Sequence, residues 1–440
     1  RKAGGDLLLL TGELPEAFEM LRKELPFGRI VAEEETGTKI TFDRDRRVRA
    51  WASQKDISLD EYPHNGVVRG LTDRDERMKI WKERMARDPF SAPASIPMAP
   101  ETRKRCAATA IPDLSSLGLG KPERAVQRVD EGAARIVLDS FLRRRGREYS
   151  KGISSPSLSR QTGSRLSVHL AWGTISLREV LGALEEREAE IRRKRKTEGG
   201  VAETRGWLKP LSSFRSRLFW HDHFCQRLER EPEMQFHPLN RAYEELPYEN
   251  DPDLERRLWE GRTGFPMVDA TVRSLAETGF LNFRMRAMLV SFATYALHID
   301  WHRLRDPMAR IMADYLPGIH ISQLQMQAGV VGINTVRVYN PTKQLFDNDP
   351  ECHFVRRFLP ELRGRTSAQI IALAVRGVES PSHGKTGRAA SERNGELTLD
   401  ERRSEYPEPA VDFRSRVQRM RSEVYKRKAS AFGREEAARV

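Results

Sequence analysis

The run Gly163-Ser164-Arg165-Leu166-Ser167 brings small hydroxyl residues and a cation to the expected start of a helix. Backbone N–H groups are unpaired at such a start and the helix end is electropositive, so the pattern suits a diphosphate. A serine-rich helix cap has the same composition, and the run by itself leaves both readings open. The three cysteines, Cys106, Cys225 and Cys352, are too widely spaced for a disulfide framework or a CxxC metal site. They also fall short of the four thiolates that an iron–sulfur cluster takes, so no metal site is expected. Such cysteine usage points to a reducing, cytoplasmic setting.

A chain of 440 residues is long for one core, which predicts two domains and a tail. Its 38% hydrophobic and 32% charged residues are ordinary for a globular protein. No apolar run approaches the roughly 20 residues that span a bilayer, and the opening residues lack a signal-peptide layout. The net charge of +13 is concentrated at Arg143–Arg147, Arg192–Lys196 and Arg414–Lys428. Together these runs suggest a polyanionic partner; any one of them also reads as a solvated helix face.

Periodicity predicts strands at Asp6–Leu10, Arg29–Glu33 and Val48–Trp51, with helices at Leu14–Leu25 and Asp73–Met85. This alternation predicts a parallel α/β layer, with too few strands to stand alone. Ser91–Pro112 is rich in Pro, Ala and Ser and reads as a linker. From Glu123 onward the pattern is helical, with one stripe at Val268, Val272 and Leu275 and another at Met285, Met288 and Phe292. The expected organisation is an α/β domain over 1–105, a linker over 106–122 and a helical domain over 123–376. A polar loop (Gly377–Ser404) and a basic helix from Val411 fill 377–440.

Three segments between Gly261 and Leu362 follow one another: GRTGFPMVDATVRSLAETGFLNFRMRAM, DYLPGIHISQLQMQAGVVGINTVRVYNPTKQ and ECHFVRRFLPEL. In this order they resemble the flavin-binding domain of the photolyase/cryptochrome family, and the likeness extends over Asp6–Leu362. It implies α/β plus all-α architecture: a partial N-terminal parallel α/β domain followed by a mostly helical FAD-binding domain. It further implies a buried FAD that absorbs blue light and passes an electron, damaged DNA as partner, and a monomer outside membranes. Family members begin with further strands and an arginine-rich segment, so a shortened first domain is expected. That leaves the site of a second, antenna chromophore open.

The resemblance assigns Tyr149, Ser164, Arg165, Leu166 and Ser167 to the FAD phosphates, within Ser164–Gly173 followed by Ile175-Ser176-Leu177-Arg178. Gly163 stands where the family has a threonine, with Thr162 just before it. Arg286 and Asp314 have the family's spacing, which places the arginine by the flavin ring and pairs it with the aspartate. A buried arginine needs such a partner, although an ordinary interhelical ion pair would look the same. Ungapped counting puts His320 where an asparagine faces flavin N5, as a hydrogen-bond donor or proton source near neutral pH. A shifted loop would instead make it a packing residue. Leu316 replaces a second acidic contact.

For the lesion pocket, the resemblance places Trp220 as a stacking tryptophan, His221 where an arginine is expected, Arg284 on a DNA phosphate and Met326 at the second stacking aromatic. Arg217 replaces a carboxylate, and Phe283 replaces the asparagine or histidine that tracks lesion type. Trp301 matches the middle member of the electron-carrying tryptophans, but Leu324 occupies the position nearest the flavin. Trp172, Tyr315 and Tyr339 offer another route, or plain core. Catalytic roles therefore fall on Trp301 and His320. Light-driven repair of a pyrimidine dimer or (6-4) lesion is the leading expectation. A cryptochrome-like sensor signalling through Gly377–Ser404 or the tail, and a flavin-free DNA-binding protein, remain alternatives.

Overall fold

The computed structural model describes residues 3–378 and 406–440, apart from 64, 74, 109, 120–125 and 334. Gly377–Ser404, the polar loop expected from sequence, lies from 379 onward outside the described residues.

Among the described residues, β-structure is confined to two parallel strands, Arg29–Glu33 and Ser58–Tyr62, paired from Arg29↔Ser58 to Glu33↔Tyr62. Helix Lys39–Gln54 forms the crossover between them, and helix Glu16–Glu24 precedes them. Trp51, Ala52 and Ile57 fill the small core, with Phe18 and Phe27 against the Trp51 ring. Two sequence expectations fail here. Asp6–Leu10 forms no strand, and Leu7 is 63% exposed: an apolar run without a neighbouring ladder has nothing to pair with. Val48–Trp51 is helical, because Val48, Trp51 and Ala52 bury a face with helical spacing rather than alternation. The actual second strand, SLDEY, is too polar and too exposed to give a period-2 signal. The expected helix at Asp73–Met85 shortens to Arg77–Met85, and the linker contains a helix at Pro100–Ala107.

So slight a sheet relies on the helices that follow. Asp222, fully buried on helix Leu208–Arg230, accepts hydrogen bonds from Gly66 N at 2.9 Å and Trp81 Nε1 at 2.8 Å. Gln226, one turn on, both accepts from Val68 N (2.7 Å) and donates to Val68 O (2.9 Å). A Cβ on Gly66 would come within 2.1 Å of the Trp81 ring and 2.5 Å of Asp222 Oδ2. Only glycine admits this approach.

The remaining chain is helical. The main core draws on both predicted stripes, all six residues of which are buried. A second core joins helices Glu131–Arg143, Leu177–Lys194 and Leu208–Arg230 around Phe141, Leu184, Leu211 and Phe214. Fully buried Asp269 gathers Thr263 N and Oγ1, Gly264 N and the Tyr406 hydroxyl, the last at 2.6 Å. Gly264, at φ +83°, lies so close to the 406–410 segment that a Cβ would meet Glu408 O at 2.4 Å. The basic tail forms two helices, Phe413–Ala429 and Ala431–Arg439. No helix among the described residues is long and apolar enough to cross a membrane.

Gly66→Ala is expected to lower stability by about 1–3 kcal/mol through overpacking, read from denaturant midpoints. An unchanged midpoint would show that the approach of Trp81 and Asp222 is not required.

Candidate functional site

Arg145 organises the loop Gln161–Ser164. Its guanidinium donates to the carbonyls of Val137 (2.9 Å), Gly163 and Ser164 (3.2 Å), and to Ser140 Oγ (3.0 Å). With these carbonyls turned inward, the loop leads to Arg165, whose φ of +62° re-aims the chain into the short helix Ser167–Ala171. The Arg165 guanidinium lies 3.8 Å from the centroid of the Phe280 ring, and its Nη1 is buried with no hydrogen-bond partner. Burial, with Arg160 and Arg145 nearby, pulls its pKa down to about 10, against the opposing pull of Asp314. Arg160 donates to Thr278 Oγ1 at 2.7 Å. Among the described residues, none of these three guanidiniums is paired with a carboxylate, and burial depresses the pKa of each.

Tyr149 is buried edge-on against Phe141 and Phe214. Burial pushes its phenol up to about 12, opposed by the Arg217 guanidinium at its hydroxyl. Arg217, read from sequence as a lost carboxylate of the lesion pocket, thus adds a cation beside the phosphate-assigned tyrosine.

Arg286 and Asp314 form the expected pair: Nη2 reaches Oδ1 at 2.8 Å and Oδ2 at 2.6 Å, while Nε donates to Leu281 O at 3.0 Å. The preceding carbonyl, Ala313 O, accepts from Trp172 Nε1 at 2.9 Å. His320 is buried one helical turn beyond, its ring edge-on to Tyr315 at 5.3 Å. Its Nε2 lies 2.8 Å from the Arg305 carbonyl, so the ring proton is donated there and Nδ1 is left as an acceptor. Burial lowers its pKa to about 4, with Arg286 adding to the effect and Asp314 opposing it. A neutral His320 with its proton already committed is poorly suited to the donor or proton-source role expected from sequence. Leu324 is buried, and Trp301 is buried with its ring 3.7 Å from that of His302.

On the outer side, Trp220 is 41% exposed and packs against Phe219, His223 and Phe224. His221 turns toward the interior, with Nδ1 3.1 Å from Asp222 Oδ1. Arg284 lies 5.6 Å from the Tyr339 ring centroid, and Phe283 beside it is exposed. Met326 packs on the cluster of Leu228, Met234, Leu239, Ile321 and Val331. The structure therefore unites Arg165, Arg286, Asp314 and His320 electrostatically, and carries Trp220 and Arg284 on other helices. Sequence reading missed Arg145 and Arg160; their signal was cations flanking a Gly/Ser loop, indistinguishable from the basic runs around them.

A helical domain whose buried, carboxylate-free Arg165 lies within electrostatic reach of the Arg286–Asp314 pair suits an anionic ligand. Residues 214–426 match the family model described as the FAD binding domain of DNA photolyase. The chain is 26% identical over 432 residues to a deoxyribodipyrimidine photo-lyase of Halobacterium salinarum, covering 94% of this chain and 82% of that one. It is 31% identical over 276 residues to one from Thermus thermophilus, covering 62% of this chain and 58% of that protein. A cryptochrome structure from Synechocystis sp. shares the fold at TM-score 0.76 and 21% identity, over 96% of this chain and 84% of that one. Residues 214–426 are thus a photolyase-type FAD-binding domain, and the chain as a whole resembles the photolyase/cryptochrome family in sequence and fold.

The domain's cofactor is FAD, and the residues present fit it: a diphosphate would supply the anion that buried Arg165 Nη1 lacks.

Arg286→Leu is expected to purify with little FAD, read from flavin absorbance per protein, and to lose about 3 kcal/mol of stability because Asp314 stays buried without its cation. For His320 the folded pKa lies below the unfolded value near 6.5, so the unfolded chain binds the extra proton between them. Stability should therefore fall as pH drops from 6.5 toward 4, by up to about 3 kcal/mol. Denaturation of His320→Asn across that range should lack this component; an identical pH profile in the variant would contradict it.

Proposed function

We propose that this chain is a light-driven DNA photolyase that acts on UV-induced pyrimidine lesions. FAD, which the 161–167 loop and the Arg286–Asp314 pair would hold, would supply blue-light absorption and one-electron transfer. The chain's residues bind, orient and exclude water. Tyr149, Ser164–Ser167 and Arg165 hold the phosphates, with Arg145 keeping the loop's carbonyls out of their way. Arg286, fixed by Asp314 and the Leu281 carbonyl, presents positive charge that favours an anionic ring. His320 keeps its Nδ1 lone pair available without adding charge.

Exposed Trp220, supported by three aromatic neighbours, carries the repair reading, because an extruded base needs a stacking surface. Arg284 is placed to take a phosphate. Trp301 is a candidate for supplying electrons from the protein.

The second reading, a photosensor without repair activity, is favoured by the inward turn of His221 and by apolar Phe283 and Met326. Oligonucleotides carrying a defined cyclobutane dimer or (6-4) lesion, illuminated with chemically reduced holoprotein, separate the two. Repair is expected on one lesion type, with Trp220→Ala reducing it at least tenfold. No turnover on either lesion, with FAD bound, would leave the sensor reading.

A further inference from the structure

Helix Phe413–Ala429 buries Met420 and Val424 in the main core and leaves a second stripe facing outward. That stripe borders an open, mainly apolar groove of about 480 Å³, whose other wall includes Asn340. Phe413 and Val417 line its floor, and Arg414, Arg421 and Tyr425 line its edge. The cations divide by face. Arg416 and Arg419 are bound to Glu249, and Lys426 to Glu423. Arg414 and Arg421 have no carboxylate partner among the described residues, and both are exposed. Tyr425 is 40% exposed, with the Arg421 guanidinium 5.9 Å from its ring centroid.

Asn340 follows Tyr339, the ring under Arg284, and Arg337 just before it is exposed. Arg284 and Arg337, like Arg414 and Arg421, have no ion pair among the described residues. From Arg414 to Tyr425 the outward stripe covers about 16 Å of helix.

We propose that this groove binds a single strand of nucleic acid, with Arg414 and Arg421 on phosphates and Tyr425 stacking a base. Unpaired arginines beside an exposed aromatic, over an apolar floor, are what a flexible strand with free base faces recognises. A duplex would offer phosphates to the arginines but no base face to Tyr425. An acidic peptide would satisfy the charges and leave the ring unused. The inference rests on the nucleic-acid reading above, but not on light-driven chemistry.

The test is anisotropy of labelled, undamaged oligothymidylate with the whole chain in the dark, over a series of salt concentrations. Removing two phosphate contacts by Arg414→Gln with Arg421→Gln should make the slope of log K against log salt less negative by about 1.4. Tyr425→Ala should weaken binding about tenfold at unchanged slope, and Tyr425→Phe should restore it. Circular dichroism and flavin content should be unaltered in all of these exposed-site variants. Wild-type slope and affinity in the double variant would overturn the proposal. So would equal loss in Arg193→Gln on a different helix, equal affinity for duplex, or displacement of the strand by polyglutamate. Strand binding without lesion repair would uphold the groove and count against the photolyase reading alone.

Discussion

A buried guanidinium needs an anion, and around residue 165 this fold buries more guanidinium than carboxylate. Arg145 satisfies its donors with carbonyls, Arg160 reaches a hydroxyl, and Arg165 lies on a ring face. Asp314, the carboxylate that acts on Arg165, is already committed to Arg286. An uncompensated buried charge costs several kcal/mol, so the region is stable only to the extent that an anion joins it. Cofactor binding and folding are therefore linked: whatever supplies that anion stabilises the helices around the loop. Burial keeps His320 neutral, and the nearby Arg286 cation adds to that effect.

The opposite arrangement holds at Asp222. A carboxylate with no exposure accepts hydrogen bonds from neutral donors, Gly66 N and Trp81 Nε1, supplied by the segment that follows the sheet, and interacts with the buried Arg77 guanidinium. Those donors make the two-stranded sheet part of the helical body. His221 is drawn to the same carboxylate, so the residue beside the exposed Trp220 is held by an interaction that belongs to packing. Docking of the sheet and the shape of the outer face are in this way set by one side chain.

These relations explain what could be read from the chain beforehand. The stripes at Val268, Val272, Leu275 and Met285, Met288, Phe292 were legible because burial imposes a 3.6-residue period. Arg286 and Asp314 were legible because motif residues on both sides kept their register. The small sheet was not: SLDEY is polar and buries none of its residues fully, and DLLLL has the composition of a strand without a partner. The approach of Arg217 to Tyr149 was not legible, because a place in a helical motif says which face a residue occupies, not which neighbour lies there. Tyr149, far away in sequence, supplies that neighbour. Arg145 was invisible for a similar reason, since its partners are carbonyls, which carry no side-chain signature.

The crossing of residues 406–410 over the Gly261–Pro266 turn bears on the order of events during synthesis. Asp269 draws one of its four donors from Tyr406, and Ala410 N bonds Thr263 O at 2.8 Å. The turn that begins the central helices therefore stays incomplete until well over a hundred further residues have left the ribosome. Such distant closure is slow, because loop entropy is lost before the contact repays it. The emerging helical half must spend that interval with an apolar face uncovered. A segment made long after the central helices thus seals the turn that begins them.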